Sequence, residues 1–212
     1  MSTIAVLGAT GRTGRILVQE ALRRGHSVRA LVRTERAGQD FPPGVTVIHG
    51  DATDEGSLQR LMEGADVVVS LLGGAKGSSP DLKVTSTRLA LSLMQRKGVK
   101  RFLRLASAPL GVPGEGDEPT VGQRLQAGLV KLLAGSKAND ELKASEDVRT
   151  SSVEWTLVRA PMLTDTPFPG TYQVGSLGRK SGRRVSRATI AHFILDELGS
   201  GAYIRRSPLV TD

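Results

Sequence analysis

Along this chain, short unbroken apolar runs alternate with stretches in which apolar residues recur every three or four positions. That alternation predicts strands and helices in regular succession. Ile4-Ala-Val-Leu7 is apolar throughout, the pattern of a parallel strand covered on both faces. Ile16, Leu17, Ala21 and Leu22 follow at helical spacing, and Gly25 supplies the stop. Val28 to Val32 reads as the second strand, so the first strand-helix-strand unit closes within about thirty residues, as a right-handed crossover requires. A strand over 45–48, a helix capped by Asp54 and reaching about Glu63, and a strand over 67–71 come next. Ser79-Pro80-Asp81 opens a long helix to Lys97, with Ser79 at the N-cap and Pro80 at the first helical position. A strand over 101–105 precedes a Gly- and Pro-rich loop over 109–119, and one or two helices occupy 121–150. A sixth strand spans 155–158, Pro161, Pro167 and Pro169 break the following stretch into loops, a last helix runs over 188–198, and a short strand lies near Tyr203.

This order predicts a single Rossmann-type α/β domain over 1–212, a doubly wound and mostly parallel sheet with helices on both faces. The ligand then belongs beyond the carboxyl ends of the strands, where strand order reverses. Substrate-side loops are expected mainly from 108–122 and 160–187. The 212 residues suffice for one core, and 39% hydrophobic with 24% charged residues is ordinary for a soluble globular protein. No segment approaches the ~18 unbroken apolar residues of a membrane span, so no membrane partner is expected. A strand starting at Ile4 leaves no room for an export leader, and the absence of cysteine favours the cytoplasm. It also removes disulfides, thiolate metal sites and cysteine nucleophiles. His26, His49 and His192 are too scattered for a metal motif and read as structural, so no metal is expected.

The formal charge of +8 makes anionic partners attractive. Arg96, Lys97, Lys100, Arg101 and Arg104 read as a helix end complementing its dipole, followed by a strand with solvated flanks. Arg179, Lys180, Arg183, Arg184 and Arg187 fall in a Gly- and Ser-rich loop, either rimming a site for an anionic substrate or simply solvated. Nucleic acid fits poorly, because only 3% of residues are aromatic and none lies inside that second cluster.

The chemistry concentrates at Gly8-Ala-Thr-Gly-Arg-Thr-Gly14. Gly8 allows a sharp turn, Gly11 lets backbone approach a pyrophosphate, and Gly14 permits helix and strand to pack closely, with Thr10, Arg12 and Thr13 completing the turn. Exposed N–H groups where the helix begins supply the anion site. About twenty residues on, the second strand ends in Arg33, where an NAD-selective site carries an acid and an arginine suits a 2′-phosphate. Arg36 and Arg12 would add charge to that phosphate, whereas Glu35 would favour a plain ribose; Arg33 as a surface arginine remains the alternative. NADP(H) is therefore the preferred cofactor, with NAD(H) second.

GATGRTG, HSVRALVR, HGDATD and SVEWTLVRAP together resemble the atypical, NmrA-like short-chain dehydrogenases/reductases. TDTPFPGTYQV and SRATIAHFILDEL extend the likeness toward the biliverdin reductase B/flavin reductase type, so it covers nearly the whole chain. The resemblance implies that Asp51 and Ala52 border the adenine, that Leu72 and Gly73 pass the ribose, and that Ser107 sits near the nicotinamide as the one weak catalytic candidate. It implies also that the Pro161, Met162 and Leu163 backbone holds the carboxamide. Where biliverdin-reducing relatives carry a histidine, this chain has Met162, which cannot transfer protons. Lys143 and Glu146 fall where relatives keep a Lys/Glu pair; either the lysine faces the nicotinamide ribose, or the two are an exposed helix pair.

Typical short-chain dehydrogenases donate a proton from Tyr-x-x-x-Lys. Tyr172 and Tyr203 are the only tyrosines here, and four residues beyond them stand Ser176 and Ser207. The expectation is an NADPH-dependent oxidoreductase that passes hydride to a flavin, quinone or similar conjugated acceptor, acting as a monomer or small homo-oligomer. The alternative is a non-catalytic NADP(H) sensor that binds a regulatory protein partner. A sugar-nucleotide epimerase would need a larger substrate domain and a proton-transfer tyrosine.

Overall fold

A computed structural model describes residues 1–34, 38, 41–74, 78–179 and 181–212. Ten strands are present among them: β1 (Thr3–Leu7), β2 (Ser27–Val32), β3 (Val45–His49), β4 (Val67–Ser70), β5 (Arg101–Ser107), β6 (Glu154–Ala160), β7 (Met162–Thr164), β8 (Gln173–Gly175), β9 (Arg184–Ser186) and β10 (Leu209–Thr211). The helices are α1 (Arg12–Arg23), α2 (Glu55–Leu61), α3 (Leu82–Lys97), α4 (Val121–Ala134), α5 (Ser136–Arg149) and α6 (Arg187–Ser200).

The main sheet runs β3-β2-β1-β4-β5-β6-β10-β8, parallel except for β8, and β7 pairs with β9 in a small second sheet. The chain winds outward from β1 to β3, returns past β1 and continues through β4. The strand order therefore reverses between β1 and β4, the position that α/β proteins use for ligands. Alternate residues of β1 serve opposite faces: Ile4 and Val6 join the core under α1 and α6, whereas Ala5 and Leu7 join the core under α2, α3 and α5. Burial on both faces explains why the first strand is apolar at every position from Ile4 to Leu7.

Three expectations are corrected. The helix after β4 starts at Leu82, not at Pro80, because its first amides are capped from elsewhere: buried Asp140 of α5 accepts from Lys83 N at 3.0 Å and from Val84 N at 2.8 Å. The terminal strand is Leu209–Thr211, while Tyr203 lies in a turn whose carbonyl accepts from Thr156 Oγ at 2.8 Å. Arg101 and Arg104 are not solvated flanks: Arg101 pairs with buried Glu197 at 2.7 Å, and Arg104 is itself buried. In a strand covered on both faces, each cation needs a carboxylate within reach.

The loop over 112–120 and the stretch over 176–179 that follows β8 are bound together through one aspartate. Asp117 receives both terminal nitrogens of fully buried Arg159, at 2.6 and 2.8 Å, and the amide of Leu177 at 2.7 Å. Among the described residues, no helix is long and apolar enough to cross a membrane, and no cluster of three or more His, Asp or Glu could hold a metal.

Candidate functional site

At the strand-order reversal lies a cleft of about 270 Å³, lined by Gly11 to Gly14, Leu71 to Gly73, Lys83, Leu105 to Ser107, Glu141, Ala160, Pro161, Leu163 and Arg187. Its floor is the glycine turn, and each glycine there answers a different constraint. Gly8 has φ +81°, and a Cβ on it would stand 2.8 Å from the Leu71 carbonyl oxygen. Gly14 lies against the turn, where a Cβ would fall 2.2 Å from Gly8 O and 2.7 Å from Ala9 O. Around Gly11 a Cβ would meet only Gly8 O, at 3.2 Å, so this position faces open cleft. Gly11 is also the N-cap of α1 and offers no side chain to the first-turn amides, and that turn holds no acid. An uncapped helix start with nothing bulky before it fits a diphosphate.

The adenine end of such a ligand would extend past β2 and β3. Asp51 is held below its ordinary value of 3.8, first by the Thr53 hydroxyl and amide, at 2.6 and 2.8 Å, and also by the nearby Arg33 charge. Arg33 is exposed and Ala52 is buried beside Asp51. Arg36, and with it Glu35, lies outside the described residues. Arg12 is engaged by Asp165 at 2.8 Å, and Asp165 also holds Arg187 at 2.7 Å across the mouth of the cleft. Gly8 and Thr10 form the turn itself; the Thr10 carbonyl accepts from Arg15 Nε at 3.2 Å.

The other end is more heavily charged than the sequence suggests. Glu141, buried in α5, receives Lys83 Nζ at 2.7 Å and Arg104 Nη1 at 2.9 Å, and its Oε1 lies 3.4 Å from Ser107 N. Burial alone would raise this carboxyl, but the two cations overcome it and hold Glu141 below its ordinary 4.5. Lys83 and Glu141 thus occupy the wall where Lys143 was considered. Lys143 is exposed and borders a separate groove with Arg88 and Asp147, and exposed Glu146 lies 4.0 Å from Arg149.

Pro161 and Leu163 line the cleft, whereas the Met162 side chain is 53% exposed and its amide donates to Arg183 O at 3.2 Å. Neither tyrosine reaches the cleft lining. Tyr172 donates to Asp196 at 2.7 Å, and burial together with that carboxylate pushes its phenol well above the usual range, so it keeps its proton. His192 stacks on Phe168 at 3.9 Å and meets Arg24 Nη2 at 2.8 Å, and His26 Nδ1 accepts from Ser2 N at 3.3 Å; both are structural. Of the two loops expected on the substrate side, 160–187 contributes Pro161, Leu163 and Arg187. Within 108–122, Gly116 and Glu118 to Gly122 instead border a larger cleft of about 960 Å³ with 173–179, 181 and 182, and among the described residues the two clefts share no lining residue.

A parallel sheet that reverses its order at a glycine turn, with an uncapped helix start facing an open cleft, defines a dinucleotide-binding Rossmann protein. The sequence matches the NAD(P)H-binding family model over residues 8–200, and the chain belongs to that family. It is 34% identical over 111 residues to an isoflavone reductase homolog, P3, of Arabidopsis thaliana, a match covering 48% of this chain and 34% of that protein. The chain thus spans about a third of the length of such curated relatives. Among solved structures, ChuY, an anaerobillin reductase from Escherichia coli O157:H7, superposes with a TM-score of 0.81 at 21% identity, covering 99% of this chain and 97% of that one. A short-chain dehydrogenase/reductase from Veillonella parvula in complex with NADP gives 0.78 at 21% identity over 100% and 94%. These two likenesses are to the fold.

Proposed function

We propose that this chain is an NADPH-dependent reductase that delivers hydride to a planar conjugated acceptor of flavin or quinone type, with the Lys83 ammonium standing in for the absent tyrosine. The observation that carries the reading is the placement of Lys83, its Nζ 2.7 Å from Glu141 Oε2, in the same wall as Ser107, Pro161 and Leu163. The nicotinamide, when bound, supplies the hydride. The remaining work falls to the chain. Amides at the start of α1 would meet the dinucleotide's diphosphate, and Ser107, Pro161 and Leu163 would border its nicotinamide end. Lys83 faces the negative charge that builds on an acceptor heteroatom as hydride arrives, and hands that atom a proton. Hydride and proton together complete the two-electron reduction. A conjugated acceptor spreads the charge before the proton moves, which suits a site without a phenol.

Purified protein is expected to consume NADPH with at least one member of a panel of FMN, quinone and dye acceptors; no turnover across the panel would overturn the reading. Lys83→Met should lower kcat by about a hundredfold or more while changing NADPH affinity little, and Lys83→Arg should retain part of the rate. Unchanged kcat in Lys83→Met would remove the lysine from the chemistry.

The cofactor preference rests on Arg33. A charge-assisted contact to a 2′-phosphate contributes about 1.5–3 kcal/mol, so titration should show NADPH binding roughly ten- to a hundredfold more tightly than NADH. Arg33→Asp should cancel or invert that ratio. Equal affinity of the wild type for both nucleotides would contradict the assignment.

A further inference from the structure

Helix α4 is packed inside out. Toward the body of the protein it turns Gln123, Ala127, Val130 and Ala134, each only half-buried. Toward solvent it turns Val121, Leu125, Leu129, Leu132 and Leu133, which are 57–79% exposed. A surface helix ordinarily faces its apolar stripe to the core and draws most of its stability from that burial. No residue of α4 is buried. The helix is not loosely attached, however. A capping box joins Thr120 and Gln123, and Gln123 Nε2 donates to Gly178 O at 3.0 Å and to Ser181 Oγ at 3.2 Å. The leucines are held outward by the fold.

Along the helix and the turn after it the charge has one sign, although exposed Glu118 stands three residues before Val121. Between Val121 and Asn139 there is no Asp or Glu, while Arg124, Lys131 and Lys137 are exposed and pair with no carboxylate among the described residues. At about 100° per residue, Arg124 and Lys131 fall together between the apolar face and the body of the protein, Arg124 lining the larger cleft and Lys131 Nζ lying beside Gly111, so that each would have to swing outward to flank the leucines. Exposed Arg179 sits beside Gly178, to which Gln123 is bonded. A twofold contact through α4 would set the patch against itself and bring both copies' Arg124 and Lys131 into one seam, with no acid in the helix to answer them. A surface that is apolar beneath and anionic above answers both features.

We propose that α4 lies in the surface of an anionic lipid bilayer, its leucines among the acyl chains and Arg124, Lys131 and Lys137 among the headgroups. This contact needs no spanning helix and stands apart from the reading of the nucleotide cleft. Sedimentation of the full chain with vesicles of about two-thirds phosphatidylcholine and one-third phosphatidylglycerol tests it, against phosphatidylcholine alone. The wild type should bind the anionic vesicles at least roughly tenfold better, and raising salt from about 0.1 M to 1 M should release it as the screening length shrinks from about 10 to 3 Å. Leu125→Glu combined with Leu132→Glu should reduce binding at least roughly tenfold, with melting temperature and NADPH binding unchanged because neither side chain touches the core or the cleft. Arg124→Gln with Lys131→Gln should weaken binding and flatten the salt response, and it decides the matter if the leucine variant does not fold. Wild type left in the supernatant, or either variant binding like wild type, overturns the proposal. So does a wild-type dimer in sedimentation velocity that the leucine substitutions disperse, which would assign the face to a second copy.

Discussion

Gly14→Ala is expected to cut NADPH affinity by roughly ten- to a hundredfold and to lower the melting temperature, because the added methyl would stand 2.2 Å from Gly8 O and 2.7 Å from Ala9 O. Both obstacles are backbone carbonyls in the turn itself, so neither can rotate away; α1 must back off from β1 and carry its first-turn amides with it. Gly11→Ala offers the contrast. Its Cβ would meet only Gly8 O, at 3.2 Å, so the fold should tolerate it and the loss should appear in nucleotide binding alone. Isothermal titration beside thermal melting separates the two. Wild-type affinity in Gly14→Ala would show that the turn yields more easily than its contacts indicate.

Glu141→Gln carries the largest expected loss of stability. It leaves Lys83 and buried Arg104 beside a neutral amide, and breaking a buried pair in this way costs about 3–5 kcal/mol, or a Tm lower by roughly 6–20 °C for a domain of this size. The sign of the pH dependence follows from the direction of the shift. The folded state holds Glu141 below its ordinary 4.5, so its contribution is complete above that pH and is lost as pH falls through the lowered value. The gap between wild type and Glu141→Gln should be constant near neutrality and close as the pH drops below about 4.5. A gap that widens in acid would mean that burial, and not the two cations, governs this carboxyl.

How much of this was legible beforehand differs by the range of the interaction. The run Ile4 to Leu7 and the three glycines are local signals, because a buried parallel strand must be apolar and a close turn must lack side chains. They placed β1 within a residue, whereas α1 begins at Arg12, inside the glycine turn and not after it. The charged wall of the cleft is assembled across sequence separations of 58 and 37 residues, from Lys83 and Arg104 to Glu141, and nothing local announces it. Lys143 and Glu146 drew attention by their resemblance to a family pair. Two positions on a helix amount to about 200°, so the residue facing the cleft is Glu141 and Lys143 looks out. One signal did exist. Arg104 lies between Leu103 and Leu105, and Arg159 between Val158 and Ala160, within apolar strands. A cation in the middle of such a strand demands a carboxylate, which buried Glu141 and partly buried Asp117 supply.

Asp140 and Glu141 are consecutive, yet one carboxylate closes the start of α3 while the other neutralises two cations drawn from α3 and β5. Because each step along a helix rotates the next side chain by about 100°, dropping one residue from the first turn of α5 would swing both groups off target together. The spacing of that turn is therefore fixed by two unrelated demands at once, and insertions or deletions there should be far less tolerated than changes of residue type at Ser136 or Asn139.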